Sequence, residues 1–428
     1  MDYLRGLFGL AFLVSVAFIF SRDRKFIDWK LVGIGIGLQI IFGFLITHID
    51  FVEELFGLAS RGFVKLLSFS NDGAQFIFGG LAREEFGYIF AFRVLPTVVF
   101  FASVSTGLYY LGVLQKIVKA IAWVMVRTMR LSGAESLSVA GNIFLGQTES
   151  PLLVKPFISK MTKSELMCLM TGGMATIAGG VLAGYVIFLG GDDPAEQAKF
   201  AAYLLSASIM NAPAAIVMSK IIIPEREFDK VDKNLNVSKD EMGVNLIDAL
   251  SRGASEGLKL ALNIGAMLLA FIAIIFLLNY ILRDLFGAWT GLNQVIINST
   301  NGQFDGLSLE YLLGQVFRIF AFAIGVEWSE SLQVGSLIGQ KTVINEFVAY
   351  ESLSGIIKNN GLSEKGIIIS TYALCGFSNF SSIAIQVGGI GGIAPDRQAD
   401  LSRLGLKALL AATLATMMTA AVAGAIMS

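Results

Sequence analysis

The sequence predicts an all-α polytopic membrane protein: eight transmembrane helices plus two re-entrant helical hairpins, arranged as inverted repeats. Three observations carry this. Apolar residues make up 55% of the 428 and charged ones only 15%, against about 25% charged in a soluble globular domain. Charge-free runs of bilayer-spanning length recur along the chain. The two halves also repeat one order of elements in opposite orientation. Disorder is excluded by the abundance of apolar surface. A net charge of −1 leaves no basic excess, so no nucleic acid partner is expected. A single histidine, His48, and two cysteines, Cys168 and Cys375, cannot build a His/Cys metal cluster or a disulfide framework. They also leave little for acid–base catalysis, so an enzyme is not expected. The 46 glycines against 7 prolines suit closely packed membrane helices.

The charge-free runs are 6–20, 31–47, 94–115, 166–191, 200–219, 260–282, 366–395 and 408–428. The first is not expected to be a cleaved signal peptide: Asp2 balances Arg5, and Ser21-Arg22-Asp23-Arg24-Lys25 follows like a stop-transfer sequence. Lys and Arg set the orientation. Arg22, Arg24, Lys25 and Lys30, the basic residues of 116–163, those of the 220–255 loop (Lys220, Arg226, Lys230, Lys233, Lys239, Arg252) and those of 397–407 share one side, taken as the inside. Lys259 is placed at a helix end, and Asp192-Asp193-Pro194 faces outside with both termini. The four tryptophans are expected near span ends, and His48 at an interface.

Two stretches, 136–148 and 331–345, are too short to cross and read as hairpins dipping into the bilayer. They anchor the repeat. Glu135-Ser136-Leu137 leads 14 residues on to Glu149, and Glu330-Ser331-Leu332 leads 16 residues on to Glu346. Each glutamate precedes a long uncharged span with a small, polar middle: Gly172-Gly173-Met174-Ala175-Thr176 in one, Gly376-Phe377-Ser378-Asn379 in the other. Each half also has an amphipathic stretch, 116–130 or 312–326. The charge rule puts one hairpin at the inner face and the other at the outer face. Inverted repeats with broken helices meeting at the midplane mark secondary transporters.

Polar side chains at membrane depth are costly and therefore functional candidates. Glu149 and Glu346 fall at the hairpin tips; Asn142, Gln147 and Thr148 lie beside the first and Asn345 beside the second; Thr176, Asn379, Ser381 and Ser382 fall on the broken helices. With no evident Arg or Lys among them, a neutral polyhydroxylated or amide-bearing ligand suits the set better than an anion. Phe377 supplies an apolar wall. Exposed carbonyls at hairpin tips and helix breaks, with Asn and Thr oxygens, suit a hard cation such as sodium.

Four motifs, in this order and spacing, carry a resemblance. They are Gly146-Gln147-Thr148-Glu149-Ser150-Pro151, Gly179-Gly180-Val181-Leu182-Ala183-Gly184-Tyr185, Asn345-Glu346-Phe347-Val348-Ala349-Tyr350 and Ala373-Leu374-Cys375-Gly376-Phe377-Ser378-Asn379. Along nearly its whole length the chain resembles the concentrative nucleoside transporters, bacterial and sodium-coupled in type. The resemblance implies a homotrimer in the inner membrane whose protomers pair a scaffold with a transport domain moving like an elevator. The scaffold would take residues 1–130 and 255–290, the transport domain 131–250 and 300–428. It implies a nucleoside substrate such as uridine, with membrane lipid and other copies of the chain as the remaining partners. Residue by residue, Gln147, Thr148 and Glu149 match nucleobase contacts, Val181 an apolar contact beside the base, and Leu260 a scaffold-side contact. Glu346, Asn379 and Ser382 match ribose contacts, with Phe377 a nearby wall. For the coupling ion Na+, Asn142 and Thr176 match side-chain ligands and Leu145 and Ile177 backbone ligands. The family's bacterial sodium-coupled pattern has serine where this chain has Thr176; the hydroxyl is kept.

Sodium–nucleoside symport is therefore the expected activity. The nearest alternative is proton coupling through Glu149 or Glu346. A channel would lack alternating gates, and an intramembrane enzyme has no catalytic constellation here.

Overall fold

A computed structural model describes residues 2–83, 89–232 and 244–427. Among these residues every regular element is helical. Lys233 and Lys239, expected on the inner face, lie outside the described residues, as does Ser428 at the end of the last run. Among the described residues six helical segments have the length and apolarity to cross a membrane: Trp29–His48, Phe90–Tyr110, Lys163–Gly190, Pro194–Ile222, Leu246–Thr290 and Pro395–Ile426. Tyr3–Ile19 and Phe380–Ile393 are apolar but shorter.

Both spans expected to have polar middles are broken there. The first runs as Lys163–Ala175 and resumes as Gly179–Gly190; the second runs as Glu364–Leu374 and resumes as Phe380–Ile393. The breaks cross one another. Phe377 N–H donates to the Thr176 carbonyl (3.3 Å). At Gly376 a Cβ would fall 2.8 Å from the Ala175 carbonyl oxygen and from Thr416 Cγ2, so glycine is needed for this approach. A helix that stops inside the protein leaves its last carbonyls without partners. Asn211, from Pro194–Ile222, supplies them: its amide donates to the Ala175 carbonyl (2.8 Å) and to the Cys375 carbonyl (2.7 Å). Asn211→Ala leaves two buried acceptors unpaired, each worth about 1–3 kcal/mol. We expect a lowered unfolding midpoint in detergent, read by size-exclusion thermostability, without a change in the sodium requirement.

Each hairpin is built of short helices joined by a tight turn. The first is Gly133–Asn142, a turn, then Ser150–Val154 and Lys155–Ile158; the second is Ser331–Val343 followed by Glu346–Lys358. The two Glu-Ser-Leu tripeptides anchor the hairpin bases through different partners. Glu135 caps its own helix at Ser132 and pairs with Lys220, which also donates to Ser164 Oγ (3.0 Å). Lys220 is thus a buried residue in the last turn of Pro194–Ile222 rather than a loop charge. Glu330 instead accepts from the N–H and the hydroxyl of Ser363 (2.8 and 2.9 Å), holding the start of Glu364–Leu374.

Small residues allow close helix crossings, as membrane packing requires. Gly253 and Gly257, one turn apart on Leu246–Asn279, lie where a Cβ would meet the backbone of Val98–Ala102 at 2.7–3.1 Å. On Ser331–Val343, packed against Leu309–Ala323, a Cβ on Gly335 would meet backbone at 2.8–2.9 Å and one on Gly339 would lie 2.6 Å from Leu313 Cβ.

Two helices differ from expectation. Asp50–Phe78 is a helix of 29 residues that no charge-free run indicated, because Asp50, Glu53, Glu54, Arg61, Lys65 and Asp72 punctuate it. The helix expected to start at 260 begins at Leu246, so Lys259 lies inside it. It then passes through a π-helical stretch, Tyr280–Gly287. His48 closes Trp29–His48 and stacks on Phe44, with ring centres 4.4 Å apart.

Candidate functional site

The hairpin tips, the two breaks and one face of Leu246–Asn279 enclose a cavity of about 590 Å³, within the 300–1,000 Å³ typical of small-molecule sites. Its polar side is assembled from four elements. Glu346 opens the helix Glu346–Lys358, where the helix dipole favours a carboxylate. Its Oε1 accepts from Tyr185 Oη (2.9 Å) and its Oε2 from Asn379 Nδ2 (2.7 Å). Asn379 is itself the N-cap of Phe380–Ile393. Its Oδ1 accepts from Ser382 N–H (2.9 Å) and Ser381 Oγ (2.7 Å), which fixes the amide with its donor toward Glu346. Gln147, on the first tip, donates to Ser382 Oγ (3.2 Å) and accepts from Gln386 Nε2 (3.1 Å), which also donates to the Met170 carbonyl (3.1 Å). Gly173 makes room for this: a Cβ there would lie 2.5 Å from Gln386 Nε2.

Glu149 folds back over Gly146, where a Cβ would collide with the carboxylate at 2.1 Å. Its Oε2 is buried with no partner among the described residues. Val181, Phe347, Phe377, Leu260 and Ile264 form the apolar walls. A carboxylate accepts only, whereas amide and hydroxyl groups work both ways. The cavity is therefore suited to a flat or ring-bearing molecule with adjacent hydroxyl donors at one end and an amide-like edge at the other.

Beside the first tip lies a second polar cluster. Asn142 is 1% exposed, and neither atom of its amide has a partner among the described residues. It stands against the last turns of Lys163–Ala175: a Cβ on Gly172 would lie 3.5 Å from its Nδ2. Thr176 Oγ1 donates to the Gly172 carbonyl (2.9 Å), leaving its lone pairs free. Gly179 N–H donates to the Phe144 carbonyl (3.3 Å), tying the tip to the far side of the break. The Leu145 and Ile177 carbonyls receive no hydrogen bond from the described residues. Uncommitted oxygens in a buried cluster suit a hard cation.

Residues 203–424 match the family model for the C-terminus of Na+ dependent nucleoside transporters, and residues 8–81 the model for their N-terminus. Residues 91–192 match a gate domain described as nucleoside recognition. An uncharacterized transporter of Bacillus subtilis, YutK, is 43% identical, with 99% of each chain covered. Human solute carrier family 28 member 3 is 40% identical over 98% of this chain and 59% of its own length. The structure of CNTnw in an inward-facing substrate-bound state superposes with a TM-score of 0.89 at 40% identity, covering 100% of this chain and 98% of that one. The chain belongs to the Na+-dependent, concentrative nucleoside transporter family. Members of this family are membrane proteins that carry nucleosides, not enzymes.

In this nucleoside transporter the cavity brings together Gln147, Thr148, Glu149, Val181, Leu260, Glu346, Phe377, Asn379 and Ser382, every residue expected at the substrate. Asn142, Leu145, Thr176 and Ile177 gather at the first tip and break, outside the cavity lining. Cys168 and Cys375 are free and buried. The absence of basic residues expected from the sequence does not hold, since Lys259 lines the cavity along with Glu256, one charge of each sign. Two supporting residues escaped the sequence. Gln386 falls seven residues after Asn379, on the face that carries Asn379 and Ser382, a spacing that two turns of helix would have revealed. Tyr185 lies 161 residues from Glu346, and only the folded chain joins them.

Proposed function

We propose that the protein is a sodium-coupled nucleoside symporter importing nucleosides by an elevator-type alternating-access movement. The observation that carries this is the shared tip. Residues 142–149 hold both the uncommitted oxygens suited to sodium and the Gln147–Glu149 edge of the cavity. An ion that orders this turn against the break at Thr176 would also complete the nucleoside site.

In this reading Glu346, Asn379 and Ser382 take the ribose hydroxyls, and Gln147, Thr148 and Glu149 pair the nucleobase edge. Val181, Phe377 and Leu260 enclose the apolar faces. Asn142 and Thr176 side chains with the Leu145 and Ile177 carbonyls take sodium. The two hairpins are re-entrant and act as gates, and residues 131–250 and 300–428 move as the transport domain against 1–130 and 255–290. Support for sliding comes from the wall facing the first tip: Phe144, Leu145 and Gly146 share a narrow gap with Ala102, Ser105, Gly253 and Gly257, a surface of small residues. Eight spans in the inner membrane, lipid around them and a homotrimer complete the proposal. The apolar segment Leu246–Thr290, whose most apolar stretch is largely exposed within one protomer, leaves surface for lipid and for neighbouring copies.

Proton coupling through Glu149 is favoured by one observation, its unpartnered buried Oε2. Calorimetry of uridine binding separates the readings. Tightening by sodium at fixed pH is expected, because the coupling is reciprocal. Affinity that ignores sodium and follows pH favours the proton.

A further inference from the structure

Lys341 is fully buried. Its ammonium donates to the Ala373 carbonyl (2.7 Å) and to Thr416 Oγ1 (2.8 Å). Lys220 pairs with Glu135, but among the described residues no carboxylate lies within ion-pair distance of Lys341. A buried cation without a counter-charge is costly unless something else compensates it. Here the compensation is the C-terminal end of Glu364–Leu374, which stops at the second break and presents its partial negative charge and last carbonyls inward.

The first break offers the same negative end without such a side chain. Lys163–Ala175 has no basic residue in its last turn. What faces it, from the first helix of its own hairpin, is Asn142 with its unpartnered amide, beside the open Leu145 and Ile177 carbonyls. Lys341 stands on the first helix of the other hairpin. Asn211 bonds the Ala175 and Cys375 carbonyls together, so the two half-helix ends lie side by side. One repeat meets its helix end with a cage of oxygens and the other with an ammonium.

We propose that Lys341 is a tethered cation: its ammonium fills, at the second break, the place that a sodium ion takes at the first, so that one sodium rather than two accompanies each nucleoside. The proposal rests on the sodium reading of the Asn142 cluster. It makes the gates unequal. The first hairpin closes on its broken helix when an ion arrives, while the second carries its ion covalently. Lys341 is a positioning residue, acting on the cavity through the second break and the Glu346 tip.

The test is sodium titration of uridine binding to the purified full chain. The wild type should show a Hill coefficient of about one. Lys341→Asn replaces the ammonium with the amide used at the first site. It should raise the coefficient toward about two and shift half-saturation to higher sodium. Lys341→Met fills the space without charge or oxygen, and should weaken uridine binding about tenfold or more with no rescue by sodium. A Lys341→Asn protein that binds uridine like the wild type, with an unchanged coefficient, overturns the proposal. If neither variant folds, the wild-type count decides: one sodium per uridine supports the proposal and two overturn it. Failure of the underlying reading shows separately, as uridine binding by the wild type that ignores sodium or as Asn142→Ala that keeps full sodium dependence.

Discussion

Glu346→Ala is expected to lower uridine affinity by about a hundredfold, equivalent to about 2.7 kcal/mol. The carboxylate sits between Tyr185 and Asn379, each of which donates to one of its oxygens. In the proposed complex its remaining lone pairs accept the ribose hydroxyls, and hydrogen bonds to a charged group are worth about 1.5–3 kcal/mol each. Truncation removes those acceptors and leaves the Tyr185 and Asn379 donors unpaired. Glu346→Gln keeps the shape but introduces an NH₂ beside Asn379 Nδ2, so it should recover little. The diagnostic readout is discrimination. The wild type should bind uridine far better than its 2′,3′-dideoxy analogue, because a site built for hydroxyls is left unpaired without them. In Glu346→Ala the two ligands should bind nearly alike. If the variant still prefers uridine by the wild-type margin, the ribose hydroxyls are read elsewhere.

Asn142→Ala is the second large effect. Its amide is buried beside the first break with no protein partner, which is costly unless a ligand completes it. A ligand that binds only the folded protein stabilises it by RT ln(1 + [L]/Kd), about 2.7 kcal/mol at a hundredfold excess over Kd. Sodium should therefore raise the unfolding midpoint of the wild type, and Asn142→Ala should erase that rise. Uridine affinity of the variant in sodium should fall to the sodium-free wild-type value, with uridine still bound. Thermal unfolding with sodium replaced by choline checks the first outcome and calorimetry the second. A sodium-induced rise of wild-type size in Asn142→Ala places the ion somewhere else.

The repeat, the tips and the breaks were legible because bilayer physics penalises what marks them. Glu149 and Glu346 fall where apolar runs end, and Gly376-Phe377-Ser378-Asn379 interrupts an otherwise continuous span. Residues with the opposite signature were missed. Asp50–Phe78 is too charged to register as a run. Lys341 reads in sequence as an interruption of 331–345, yet it is the most deeply placed cation of the hairpin, because the helix end that compensates it lies 32 residues on. Gln386 hides in an uncharged run and acquires its role from Gln147, 239 residues away. Lys259 looked like a helix end because the apolar run starts one residue later, while the helix itself starts at Leu246. Local pattern locates groups that membrane depth makes expensive; long-range partners that remove the expense appear only on folding.

In the proposed mechanism sodium drives nucleoside across the membrane. Labelled uridine uptake into proteoliposomes tests it, with a sodium gradient or a proton gradient imposed separately. Accumulation above equilibrium under the sodium gradient alone, lost in Asn142→Ala, is the predicted result. Accumulation under the proton gradient in sodium-free medium, with none under sodium, would contradict it and transfer the coupling to Glu149 or Glu346.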